Sequence, residues 1–222
     1  MQPNTAKLFL FLSLLGAALL LITCSQSGSG NKPMTKEEMV KRGEYLTTIG
    51  SCNDCHSPKK YTAMGPIPDQ SLLFSGHPAN SPVLAIPAGL PDPKGWVAMT
   101  NDNFTAWAGP WGVSFAANLT PNKQTGIGDW TEDDFIKTLR SGKHLGTGRD
   151  ILPPMPWQFI GKMTDEDLKS VYAYLMSLPA IPNLVPGPQP PMAPPADSAA
   201  GAIGGCGPGT RFGIAGSDIR YA

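Results

Sequence analysis

The sequence lacks a surplus of either charge: 17 Lys and Arg balance 17 Asp and Glu, and charged residues are only 15% of the 222. A chain without a basic excess has no electrostatic footprint for a phosphate backbone, so no nucleic-acid partner is expected. Metal-binding side chains are scarce too, at four Cys and three His. There is no second C-x-x-C and no H-x₃₋₅-H pair, which is how a structural zinc site is usually completed. No paired carboxylates stand at a diagnostic spacing, no Ser/His/Asp set is evident, and no phosphate-binding glycine loop follows a strand. No substrate chemistry is legible, and the chain reads as a non-enzyme.

What is abundant is glycine (25) and proline (24), together more than a fifth of the chain. That composition predicts long irregular segments around a modest ordered core, within one ordinary domain. After Lys7, residues 8–23 (LFLFLSLLGAALLLIT) carry no charge and lead into Cys24. The run is short for a bilayer span, which takes roughly 20 apolar residues, and fits the apolar region of a signal peptide over 1–23. LLLITC resembles a bacterial lipoprotein cleavage box, although Thr23 replaces the usual small residue. Cys24 is thus the expected lipidated residue, and 24–34 a flexible tether to the membrane. This predicts an exported membrane lipoprotein facing the periplasm. At the other end, 179–222 reads as an extended or disordered Pro/Gly-rich tail, in which Cys206 has no assigned role.

Three segments carry helix signals. In 34–50, Thr35 and Glu38 form a capping box, and Gly43 lies inside, where a glycine costs up to about 1 kcal/mol relative to alanine unless another helix passes close. In 130–144, Thr131 and Asp134 open the helix, Phe135, Ile136 and Leu139 share a face, and Gly142 ends it. In 163–179, Thr164 and Asp167 open a helix whose Leu168, Val171, Tyr172 and Leu175 recur at helical spacing. Residues 61–117 show little alternation and no confident strand. The expected fold is all-α, with a long irregular insertion.

Chemistry concentrates in Cys52-Asn53-Asp54-Cys55-His56. Two thiols can add across the two vinyl groups on one porphyrin edge, leaving the next residue, His56, to ligate iron, so C-x-x-C-H reads as a c-type haem site. Zinc would need two further ligands from His77, His144, Cys206 or carboxylates. A Cys52–Cys55 disulfide is the other alternative, permitted outside the cytoplasm. For the opposite iron position the candidate is Met155 in ILPPMPWQF, where Pro153, Pro154 and Pro156 stiffen the loop and pre-position a weak thioether ligand. Met163 is second choice, Met176 more plausibly packs, and His77 or His144 would give bis-histidine ligation.

A helix ending in RGEYLTTIGSCNDCHSP, the loop PPMPW and a last helix MTDEDLKSVYAYLMSLP together resemble a class I c-type cytochrome domain. The stretch 109–144 is similar to the same group, and the likeness is greatest to single haem units of the cytochrome subunits that serve membrane-bound alcohol and sugar-acid dehydrogenases. The resemblance covers roughly 36–178 and sets the expected domain at 35–178. It implies one covalent haem c, with Cys52 and Cys55 as thioether residues, His56 as proximal ligand and Met155 as distal ligand. It implies first and last helices crossing at Gly43, against Tyr174 or Leu175. Family subunits carry three such motifs and this chain one, and its His56-to-Met155 separation is long, so 57–117 must cover haem edges or form a docking surface. Leu119, Phe135, Leu139, Ile151, Leu152 and Trp157 are expected wall residues, and Trp157 or Arg140 candidates to meet a propionate. The ring nitrogen of His56 facing away from iron should donate to a carbonyl between Ser57 and Pro66. The implied function is one-electron transfer between redox partner proteins, a dehydrogenase or terminal oxidase among them. The alternatives are an open-iron dehydrogenase or peroxidase subunit, or a haem-based sensor.

Overall fold

The computed structural model describes residues 33–82, 85–86 and 95–191. The signal peptide, Cys24, most of the tether and Cys206 lie outside the described residues. Among those described, no helix is long and apolar enough to cross a membrane.

The helical frame follows its caps. Helix α1 (Lys36–Ile49) starts at Thr35, whose side chain accepts from the Glu38 N–H while Glu38 returns a bond to the Thr35 N–H. A short helix α2 (Cys52–His56) follows directly. Helix α3 (Glu132–Ser141) opens on the Thr131/Asp134 box and ends at Gly142, whose φ of 69° closes it in the left-handed region. A single turn, α4 (Trp157–Ile160), precedes α5 (Asp165–Leu175), capped by Thr164.

Helices α1 and α5 cross so closely that a Cβ on Gly43 would strike the backbone carbonyl of Ser170 and come within 2.7 Å of the Tyr174 Cβ. The glycine is the contact itself, and Arg42 pairs with Asp167 beside it at 2.6 Å. Below the crossing, Leu46, Phe74, Ile127, Phe135, Leu139, Leu168, Val171 and Leu175 form the buried core. Phe74 and Ile127 come from outside the helices, so irregular chain completes a core the helices alone would leave open.

The all-α expectation is wrong. Helices, with their 3₁₀ turns, make up 34% of the described residues, and strands with isolated bridges 14%. The segment expected to be irregular builds two antiparallel sheets. In the first, β1 (Lys59–Thr62) pairs with β2 (Gly65–Pro68), Lys59 opposite Pro68. In the second, β3 (Met99–Thr100), β4 (Ala106–Gly109) and β5 (Gly112–Phe115) lie in that order.

Both sheets escape a period-two reading for physical reasons. Strand β2 is Gly65-Pro66-Ile67-Pro68, and proline, which cannot donate, normally argues against a strand. It is tolerated here because β2 has a partner on one side only. In β4 and β5 burial runs along the strand rather than alternating, so no polar face marks them.

Residues 179–191 run back over the sheet region in extended form. Val113 and Gln189 exchange both backbone bonds, at 3.0 and 2.9 Å. Asn183 donates to the carbonyls of Ser75 and His77 at 2.7 and 2.8 Å. Asn118 in turn donates to the carbonyl of Ile181 at 2.9 Å. These bonds clamp the segments 74–77 and 116–119 that carry the site described next.

Candidate haem-binding site

Helix α2 is one turn and a half entered through Ser51, whose φ of 52° turns the chain sharply out of α1. On a helix, residues three apart share a face, so Cys52 and Cys55 lie on one side and His56 follows at the helix end. Both cysteines are half-buried free thiols. Burial pushes both thiols up from their ordinary range, and the Asp54 carboxylate raises Cys55 further. A reactive dithiol pair depends on the opposite, a lowered pKa. Among the described residues no group of three or more His, Cys, Asp or Glu converges as a metal cluster would.

His56 Nδ1 lies 2.8 Å from the carbonyl oxygen of Ala117. A carbonyl only accepts, so Nδ1 carries the proton and Nε2 keeps its lone pair for a metal. Burial lowers the His56 pKa, against the Ala117 bond, which acts to raise it. The ring therefore favours the neutral, ligating form. The expected carbonyl between Ser57 and Pro66 is not the partner. The chain reaches 61 residues ahead instead, because the 116–119 segment is laid beside the helix by pairing with 74–77. His77 N–H donates to Ala116 at 2.9 Å, Leu119 N–H to Phe74 at 2.8 Å, and Gly76 N–H to His56 itself at 2.8 Å. Gly76 has a φ of 79°, and a Cβ there would come within 2.6 Å of the Ala116 oxygen and the Ala117 carbonyl carbon.

Met155 sits between the prolines in a loop held from two directions. Ser114 on β5 donates to the carbonyl of Pro153 at 2.6 Å. On the other side the Trp157 indole fills the space left by the missing Cβ of Gly142 at the end of α3. The Pro153–Pro154 peptide is cis. Met155 is half-buried against the core cluster, as is Cys52. Met163 and Met176 pack on the same cluster, so burial does not separate them from Met155. His77 is buried, bonded to Thr105 Oγ1 at 2.9 Å and packed at a tilt against Phe115, while His144 is exposed and edge-on to Trp130. Arg140, a candidate propionate partner, is committed to Asp165 at 2.7 Å and to the carbonyl of Gly161.

No known protein-family profile matches the chain. Among curated proteins, it is 33% identical to the gluconate 2-dehydrogenase cytochrome c subunit of Pantoea cypripedii over 159 residues, 72% of this chain and 27% of that protein. It is 29% identical to the fructose dehydrogenase cytochrome subunit of Gluconobacter japonicus over 62% of this chain and 21% of that one. It is 27% identical to the cytochrome c subunit of quinone alcohol dehydrogenase from Gluconobacter oxydans (strain 621H), over 73% and 26%. The chain is a relative of cytochrome c subunits. It matches about a quarter of the length of these relatives.

Kinship to cytochrome c subunits implies haem c, and the residues fit that group. Two thiols on one face of a turn, an imidazole with Nε2 free, and thioethers at the edge of an apolar core are the kinds of donor that group takes. Sequence reasoning names the candidate ligands of this cytochrome relative but misses Ala117 and Ser114, which hold His56 and the Met155 loop in place. Neither residue carries a chemical signature. Strand β5, invisible to periodicity, brings Ser114 to the loop, and the 116–119 segment just after it, paired with 74–77, brings Ala117 to His56.

Proposed function

We propose that the chain is a single-haem c-type cytochrome that carries single electrons. Cys52 and Cys55 are its thioether residues, His56 the proximal ligand and Met155 the distal one. In attachment each thiol S–H adds across one vinyl double bond: sulfur bonds one carbon, the hydrogen goes to its neighbour, and no oxidant is consumed. The observation that carries the reading is the His56–Ala117 hydrogen bond, which leaves Nε2 as the only ring nitrogen free for iron.

The bound haem supplies the one-electron couple, and the protein supplies orientation and environment. Ala117 holds the imidazole, Ser114 and Trp157 hold the methionine loop, and the core beneath Cys52 and Met155 keeps water away. The domain is exported, anchored through lipidated Cys24 and faces the periplasm, a reading supported by residues 8–24 of the sequence. Its partners are redox proteins, a dehydrogenase first among them, since the relatives are named as dehydrogenase subunits.

An alkaline-pyridine haem spectrum of the protein, produced with a haem-attachment system, tests this directly. A covalent c-type signal at one haem per chain is expected; its absence reopens zinc. Rapid carbon monoxide binding by the freshly reduced protein would favour an open-iron enzyme or sensor instead.

A further inference from the structure

Two lysines follow the haem motif, and the fold treats them oppositely. Lys60 is exposed and pairs with Asp69 at 2.9 Å. The Lys59 side chain has no solvent exposure at all. A buried ammonium costs several kcal/mol unless its protons are satisfied. Lys59 Nζ meets three backbone carbonyls: Asp54, Ser57 at 2.8 Å and Asn103 at 3.4 Å. Three acceptors match the three protons of an ammonium, whereas a neutral amine would aim its lone pair at a carbonyl. The Phe104 ring adds a face 5.8 Å away. The Asp54 carboxylate lies 3.8 Å from Nζ but is 60% exposed, so water screens it.

The carbonyls of Asp54 and Ser57 bracket Cys55 and His56 in sequence, and Asn103 belongs to the insertion. Asn103 also takes the Lys59 backbone N–H on its side chain at 2.9 Å. One cation therefore gathers the end of the attachment helix and fastens it to the sheet region.

We propose that Lys59 is a positioning residue for the redox site, whose buried positive charge raises the reduction potential of the attached haem. The oxidised haem carries one more positive charge than the reduced one, and a buried cation nearby disfavours it. This rests on the haem reading above.

The test is a spectroelectrochemical titration of the full, haem-loaded protein and two variants. In Lys59→Met, poised at the wild-type midpoint, the ratio of reduced to oxidised protein falls about three- to tenfold, the order expected for one charge at intermediate dielectric. In Asp54→Asn, which removes the partly water-screened anion 3.8 Å from Nζ, the midpoint moves the other way by a smaller amount. A merely structural role for Lys59 does not predict opposite signs. A haem-loaded Lys59→Met with the wild-type midpoint overturns the proposal. Should Lys59→Met fail to mature, an Asp54→Asn midpoint at or below wild type overturns it. Wild-type protein without covalent haem fails the haem reading itself, which the pyridine spectrum shows separately.

Discussion

Gly43 and Ser170 meet backbone to backbone where the first and last helices of the domain cross, with no room between them for a methyl group. An alanine at this position gains up to about 1 kcal/mol in helix propensity. Against it stands overpacking against a carbonyl that cannot rotate away, typically about 1–3 kcal/mol. Gly43→Ala therefore lowers the thermal midpoint, whereas an exposed-face control such as Thr48→Ala changes it little. Thermal unfolding followed by circular dichroism checks the pair.

Gly76 acts on the site rather than on the helices. Its φ of 79° and its contact with Ala116 and Ala117 leave no place for a Cβ. Gly76→Ala destabilises the fold by about 1–3 kcal/mol through backbone strain. It also lengthens the His56–Ala117 bond, weakening the imidazole as an electron donor to iron. The expected result is a lower thermal midpoint together with a higher reduction potential in the haem-loaded protein. A stability loss with an unmoved potential would show that Ala117 does not govern His56.

Met155→Ala removes the weak far-red absorption band that oxidised His/Met iron gives, and the reduced variant binds carbon monoxide readily. Met163→Ala keeps the band and resists carbon monoxide. The reverse pattern would move the distal ligand to Met163, which packs on the same core.

Asp69 sets an acid limit on the first hairpin. Its carboxylate accepts from the Ser71 hydroxyl at 2.7 Å, the Lys60 ammonium at 2.9 Å and the Ser71 N–H at 2.9 Å. These donors lower its pKa from 3.8 to about 2, the Ser71 hydroxyl contributing most. A carboxylate whose pKa is depressed by folding stabilises the native state above the unfolded value. That contribution is lost as pH falls through the folded value. The difference in thermal midpoint between wild type and Asp69→Asn should be constant near neutrality and close between about pH 4 and pH 2. A difference that persists at pH 2 would mean that Asp69 contributes through shape rather than charge.

The sequence by itself determined the parts whose physics is local. Thr35, Thr131 and Thr164 announce helix starts because a cap needs only its own next turn. Cys52, Cys55 and His56 announce the proposed haem site because C-x-x-C-H places all three within five consecutive positions. Gly43 could be read as a crossing because a glycine inside a helix needs a reason.

Only the tertiary structure decided what orients those groups. The sheets of the insertion leave no alternating pattern: β2 holds prolines at an edge, and β4 and β5 bury along their length. Yet this segment supplies the carbonyl of Ala117 to His56, the hydroxyl of Ser114 to the Met155 loop, and the Asn103 carbonyl to Lys59. Backbone carbonyls have no side-chain identity, and their partners lie tens of residues away. Bonds of that kind exist only once the chain has closed on itself.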